Sequence, residues 1–150
     1  MGLDMYLEAD VFLSEYIEQQ RDLINEIKLN SEGMEDFQPC GVTYKLGYWR
    51  KANAIHNWFV ENVQDGKDDC GRYYVSAEKL TELKAVCEKV LEDTKKAPGL
   101  LPVKAGFFFG SYDYEEGWYI ESVRKTIAII EKILANPDHE TWSMYYQSSW

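Results

Sequence analysis

The segment Gly47 to Val63, GYWRKANAIHNWFVENV, gathers more chemically capable side chains than any other stretch of this chain. Arg50 and Lys51 supply two cations, Asn53 and Asn57 two amides, and His56 a group that titrates near neutral pH. From Lys51 onward, Ala52, Ile55, Trp58, Phe59 and Val63 recur at three- and four-residue spacing, which predicts a helix with one core-facing stripe. The polar set is what that stripe leaves over, and most of it falls on the first turn. A helix start presents unpaired N–H groups and a positive dipole end, which suits an anion. Two cations at that end oppose the dipole, and an anion would offset the conflict. Trp49, Arg50, Lys51, Asn53 and His56 are therefore expected to border a site for a small anionic ligand, with the tryptophan available for stacking.

Two further stretches carry candidates. In FFFGSYDYEEGWY, Phe107 to Tyr119, an aromatic strand is expected to end at Gly110 before a loop and a helix. Ligand contacts are common at such strand ends, so Phe109, Ser111, Tyr112 and Asp113 join the set. The segment has neither the glycine–lysine pattern of a phosphate loop nor the second glycine of a nucleophile elbow. The tail YYQSSW places Gln147, Ser148 and Trp150 where a tryptophan must either pack back on the fold or line a pocket.

Other chemistry is thinly represented. The two histidines, His56 and His139, lie far apart and Cys40, Cys70 and Cys87 form no CxxC pair, so neither a metal nor a cofactor is expected. The acid pairs Asp68-Asp69 and Glu115-Glu116 read as solvated surface charge. No spacing identifies a catalytic residue.

The elements that must position these groups follow from periodicity. LDMYLEA alternates weakly and predicts a first strand, and Val11 to Leu29 predicts a helix on Leu13, Tyr16, Ile17, Gln20, Ile24 and Ile27, stopped near Gly33. VTYKLGYW predicts a strand running into the helix described above. RYYVS predicts a short strand, and Ser76 caps a helix on Leu80, Leu83, Cys87, Val90 and Leu91 that ends near Thr94. Lys95 and Lys96 then sit at its C-terminal end, before Pro98, Gly99 and Pro102 break the helical pattern. Glu115 to Ala135 predicts a helix on Ile120, Val123, Ile127, Ile130 and Leu134, and TWSMYYQSSW a last strand. The order predicts an α+β (or α/β) class, a single domain with about four helices packed on a mixed sheet.

Composition bounds the partners. At 150 residues, with 45% hydrophobic and 15% aromatic side chains, the chain can bury a substantial core. A net charge of −10 argues against nonspecific nucleic-acid binding, which needs a basic footprint. The opening MGLDMYLEAD has no basic, apolar leader pattern and no stretch reaches membrane-spanning length, so the expectation is a cytoplasmic protein with three free thiols and no membrane association.

The blocks MGLDMYL, YWRKANAIHNWFV, DDCG followed by YYVS, GFFFGSYDYEE and WSMYYQSSW resemble a family of small bacteriophage accessory proteins of unassigned function. The segment Val11 to Leu29 and the loop after it lie outside that resemblance. The resemblance implies a phage accessory protein in the host cytoplasm and raises a role in counteracting host defence. It transfers no catalytic residue. Three functions stay open. The first is sequestration of a small anionic, nucleotide-like ligand without turnover, in a homodimer or higher homo-oligomer whose interfaces form pockets. The second is inhibition of a host defence enzyme by an acidic, nucleic-acid-mimicking or anti-CRISPR-like surface, tested most directly at Glu32, Glu35, Asp36, Asp65, Asp68 and Asp69. The third is a nucleotide-modifying enzyme with His56 as acid or base and Ser111 or Asp113 assisting.

Overall fold

A computed structural model describes residues 2–106, 113–114 and 117–150. The aromatic strand expected to end at Gly110, and the candidates Phe109, Ser111 and Tyr112, lie outside the described residues. The fold is α+β, with four strands in one antiparallel sheet ordered β2-β1-β4-β3. The strands are β1 (Asp4–Phe12), β2 (Gly41–Arg50), β3 (Arg72–Tyr74) and β4 (Ser143–Ser149). The helices are α1 (Glu18–Leu29), α2 (Asn53–Asn62), α3 (Ala77–Glu92), the single turn α4 (Ala97–Leu100) and α5 (Gly117–Leu134). By contact density the chain forms two compact units, one of residues 1–9 and 45–150 and one of Asp10–Tyr44.

In the larger unit, period-two alternation sorts the sheet into two faces. Met5, Leu7, Ala9, Trp49, Met144 and Tyr146 point into a core completed by the helices, where Leu80, Leu83 and Cys87 of α3 and Val123 and Ile130 of α5 are buried. Asp4, Tyr6, Glu8, Tyr48, Tyr145 and Gln147 occupy the alternate positions and are only half-buried. β3 and β4 pair antiparallel, with Arg72 opposite Gln147 and Tyr74 opposite Tyr145.

Helix α2 is buried almost all round: Asn53, Ala54, Ile55, His56, Trp58, Phe59 and Val60 are all inside. The expected single stripe is thus half of the story: of the polar residues left over from it, Asn53 and His56 are buried as well, whereas Arg50 and Lys51 are exposed. Ser76 caps α3 as its position implies, its hydroxyl accepting from the Lys79 N–H at 3.2 Å. Lys95 and Lys96 fall in a 3-10 turn, Thr94–Lys96, beyond the end of α3.

The core face of α5 differs from the expected one. Tyr119, Val123, Thr126, Ile130 and Ile133 are buried, whereas Ile120, Ile127 and Leu134 pack at the margin. Two polar groups turn inward because each finds a partner. The Tyr119 hydroxyl donates to the Leu101 carbonyl at 2.8 Å. Thr126 Oγ1 accepts from the Trp49 indole at 2.9 Å.

The smaller unit corrects the helix expected from Val11. β1 continues through Phe12, the Leu13 N–H donates to the Cys40 carbonyl at 3.0 Å, and Thr43 Oγ1 donates to Asp10 Oδ1 at 2.8 Å. Strand pairing claims these residues despite their helical spacing. α1 begins only at Glu18, with Gln20 Oε1 accepting from the Ser14 N–H at 2.7 Å ahead of it. Asn30 caps its C-terminal end, and Gly33 follows in the turn with φ of 78°.

Candidate functional site

At the junction of β2 and α2 the backbone turns through Lys51, whose φ of 55° is left-handed. Its N–H donates to the Leu3 carbonyl at 2.7 Å, fixing the turn against β1. Ala52 stands at the cap position and offers no side-chain acceptor to the first turn. The cleft beside it, bordered by Lys51, Asn53, Ile55, Trp118 and Ser122, holds about 30 Å³, room for roughly one water. Arg50 is largely exposed, with Nε 3.9 Å from Asp4 Oδ1. Trp49 is sealed in the core against Thr126 and α5. The expected anion site therefore disperses: Trp49 is structural, Arg50 faces a carboxylate, and only Lys51 and Asn53 border the small cleft.

His56 takes part in a buried network that periodicity does not reveal. Its ring is 1% exposed, with Nδ1 2.7 Å from the Tyr146 hydroxyl and Nε2 3.0 Å from Asp68 Oδ1. Burial holds the His56 pKa below its ordinary value, against the pull of the Asp68 carboxylate. Burial likewise pushes Tyr146 well above its ordinary value, so its hydroxyl keeps its proton. One tautomer satisfies every group: Tyr146 O–H donates to Nδ1, and Nε2–H donates to Asp68. Trp150 closes the set, its indole N–H donating to the same Asp68 oxygen at 3.1 Å. Phe59 stacks on the Tyr146 ring at 3.9 Å and 7°.

Asp68 is thus a structural acceptor, whereas the sequence reads it as solvated charge, and Trp150, though 44% exposed, is tied to it through the indole N–H. With both ring nitrogens engaged and the ring shielded from solvent, His56 is poorly placed to exchange protons with a substrate. Of the tail candidates, Ser148 is buried with no hydrogen-bond partner for its Oγ among the described residues. Asp113 is exposed.

The half-buried face of the sheet gathers side chains that were not anticipated, with the exception of Gln147 and Ser148. Tyr6 and Tyr48 rings lie 5.4 Å apart, and Lys45 Nζ sits 5.5 Å from the Tyr6 centroid and 6.0 Å from that of Tyr48. Arg72 stacks over Tyr145 at 4.1 Å and reaches Glu8 at 3.5 Å. Between the two clusters lies an open concavity of about 390 Å³ lined by Tyr6, Glu8, Lys45, Gln147, Ser148 and Ser149. Gln147 Nε2 donates to the Cys70 carbonyl at 3.3 Å, which leaves its amide oxygen available to accept. The available signal was the alternation of Asp4, Tyr6 and Glu8 with Met5 and Leu7, which places a polar, aromatic face opposite the core.

Among the described residues no helix is long and apolar enough to cross a membrane, and no group of three or more His, Cys, Asp or Glu is placed to hold a metal ion. No protein-family model matches the chain, and no curated protein or solved structure matches it significantly.

Proposed function

We propose that the open sheet face of the larger unit binds a small nucleotide-like ligand and holds it without turning it over. The observation that carries this reading is the pairing of two tyrosine rings with a cation at the rim of a concavity about 390 Å³ in size. A base stacks on the Tyr6 ring with Tyr48 tilted beside it, a contribution of about 1–3 kcal/mol per base in proteins that use such platforms. Lys45, which lines the concavity, meets phosphate there, and Arg72, stacked over Tyr145 and paired with Glu8, is a second cation on the same sheet. Glu8, Gln147 and Ser149 supply acceptors and donors for base edges and ribose hydroxyls.

The net charge of −10 favours a compact ligand, because a long phosphate backbone would meet the acidic surface beyond these two cations. Retention without turnover is supported by the occupied state of His56. The resemblance to phage accessory proteins gives such a binder a setting, the withdrawal of a host nucleotide signal from its effector.

The test is calorimetric titration with a panel of mononucleotides and cyclic dinucleotides, followed by chromatography of the released ligand. One panel member is expected to bind, to be recovered intact, and to lose at least about fivefold in affinity with Tyr6→Ala and with Lys45→Ala. No heat from any nucleotide, or affinity untouched by both substitutions, refutes the reading.

A further inference from the structure

The smaller unit, Asp10–Tyr44, is built around very little core. Leu13 and Ile24 are its only buried hydrophobic side chains. Eight of the eleven exposed large hydrophobics found among the described residues belong to it, including Tyr16 at 90%, Leu29 at 86% and Phe37 at 65% exposure. Isolated apolar side chains on a surface are ordinary, but this concentration in one short unit marks an interaction surface.

The apolar groups are presented on shaped backbone. Beyond α1, the Met34 N–H donates to the Ser31 carbonyl and the Phe37 N–H to the Met34 carbonyl, each at 3.0 Å. The Gly33 N–H donates to Glu35 Oε1 at 3.1 Å, and the backbone N–H groups of Glu35 itself and of Gly33 hold the Glu35 carboxyl below its ordinary pKa. These successive turns border a cleft of about 230 Å³ lined by Ile27, Met34, Phe37 and Pro39, among others. A turn held in its binding shape loses less entropy when it docks.

Charge selects the occupant. The unit carries eight acids against two bases, Arg21 and Lys28, so six of the ten net negative charges fall within it. Glu15, Glu18, Asp22, Glu26, Glu32, Glu35 and Asp36 are all exposed. A second copy of this chain would set two such acidic units against each other, and like charges across an interface oppose association. Anionic lipid surfaces and nucleic acids are disfavoured on the same ground.

We infer that Asp10–Tyr44 is a docking element for a protein whose contact surface is apolar at its centre and basic at its rim. Met34 and Phe37 are the anchors. Glu32, Glu35 and Asp36, which flank them, steer the approach and set its register. This surface is separate in sequence from the residues assigned above to the small ligand, so the failure of either assignment leaves the other standing.

The experiment places a benzophenone amino acid at Phe37 of the full chain, with a control at exposed Trp118 in the larger unit, and irradiates each in lysate of the cells in which the protein occurs. Because Phe37 is exposed, the substituted protein is expected to keep the circular dichroism and melting temperature of the wild type. The expected result is a cross-link from position 37 to a Lys- or Arg-rich peptide of one other protein, absent from position 118. Its yield falls at least about fivefold between about 0.05 M and about 0.5 M salt, and by a similar factor in the triple variant Glu32→Gln, Glu35→Gln, Asp36→Asn. With the purified partner, Phe37→Ala weakens binding at least tenfold, about 1.4 kcal/mol. The inference is overturned by a cross-link to a second copy, to lipid, to nucleic acid or to a neutral or acidic peptide. A yield no higher than at position 118, a yield insensitive to salt and to the triple variant, or binding unchanged by Phe37→Ala overturns it equally.

Discussion

Replacing Tyr146 with Phe isolates one hydrogen bond in the interior. The ring that stacks on Phe59 at 3.9 Å is retained, and only the hydroxyl 2.7 Å from His56 Nδ1 is lost. A net hydrogen bond contributes about 1 kcal/mol, and stranding a buried acceptor raises the cost to about 1–3 kcal/mol. His56 is 1% exposed, so water cannot easily replace the lost donor, and about 2 kcal/mol is expected. For a chain of 150 residues that corresponds to a melting temperature lower by about 6 °C. His56→Ala severs both ring bonds, strands the tyrosine hydroxyl and opens a cavity, for about 3–4 kcal/mol. In the His56→Ala background, Tyr146→Phe removes a hydroxyl that no longer has its partner, and is expected to cost almost nothing. The cycle, measured by urea unfolding, should return a coupling of about 2 kcal/mol. Tyr146→Phe within about 0.3 kcal/mol of wild type, or equal costs in both backgrounds, would refute the assignment.

The same network makes stability depend on pH. Burial depresses the His56 pKa in the fold, so below about 6.5 the unfolded chain takes up a proton that the folded chain refuses. The contribution is complete above that pH and is lost as pH falls from about 6.5 towards the folded value; His56→Asn should flatten this part of the urea-midpoint profile. Gly47→Ala places a Cβ 2.9 Å from Ile129 Cγ2 and 3.3 Å from Trp49, and should cost about 1–3 kcal/mol by chemical denaturation. The exposed Cys40 should react at once with a thiol reagent, whereas Cys87, buried with its pKa pushed up to about 12, should react only on unfolding. Lys51→Gly keeps the N–H bonded to Leu3 and relieves a left-handed φ of 55°, so a gain of about 0.5–1 kcal/mol is expected in the same assay.

The elements were legible where local signals and tertiary demands agree. Ser76 reads as a cap and is one, and the strands at VTYKLGYW, RYYVS and WSMYYQSS stand close to where alternation puts them. At Val11 and Phe12 the two disagree, and strand pairing prevails over helical spacing. On α5, an apolar-only stripe misses Tyr119 and Thr126 because their burial depends on Leu101 and Trp49, which are distant in sequence. The site followed the same pattern. The conflict of two cations at a helix start was real in sequence, yet Asp4 from another strand answers Arg50. The partners of His56 are 12 and 90 residues away, beyond the reach of any spacing argument.

Strand β4 links the two sides of the sheet through its alternation. Tyr146 descends to His56, while Gln147 and Ser149 rise to the open concavity. A ligand seated above the sheet that shifts this strand by a fraction of an ångström would alter the Tyr146–His56 bond length beneath it. If the proposed ligand binds there, the imidazole nitrogen resonances of His56 would gauge its occupancy from the opposite face, without any introduced label.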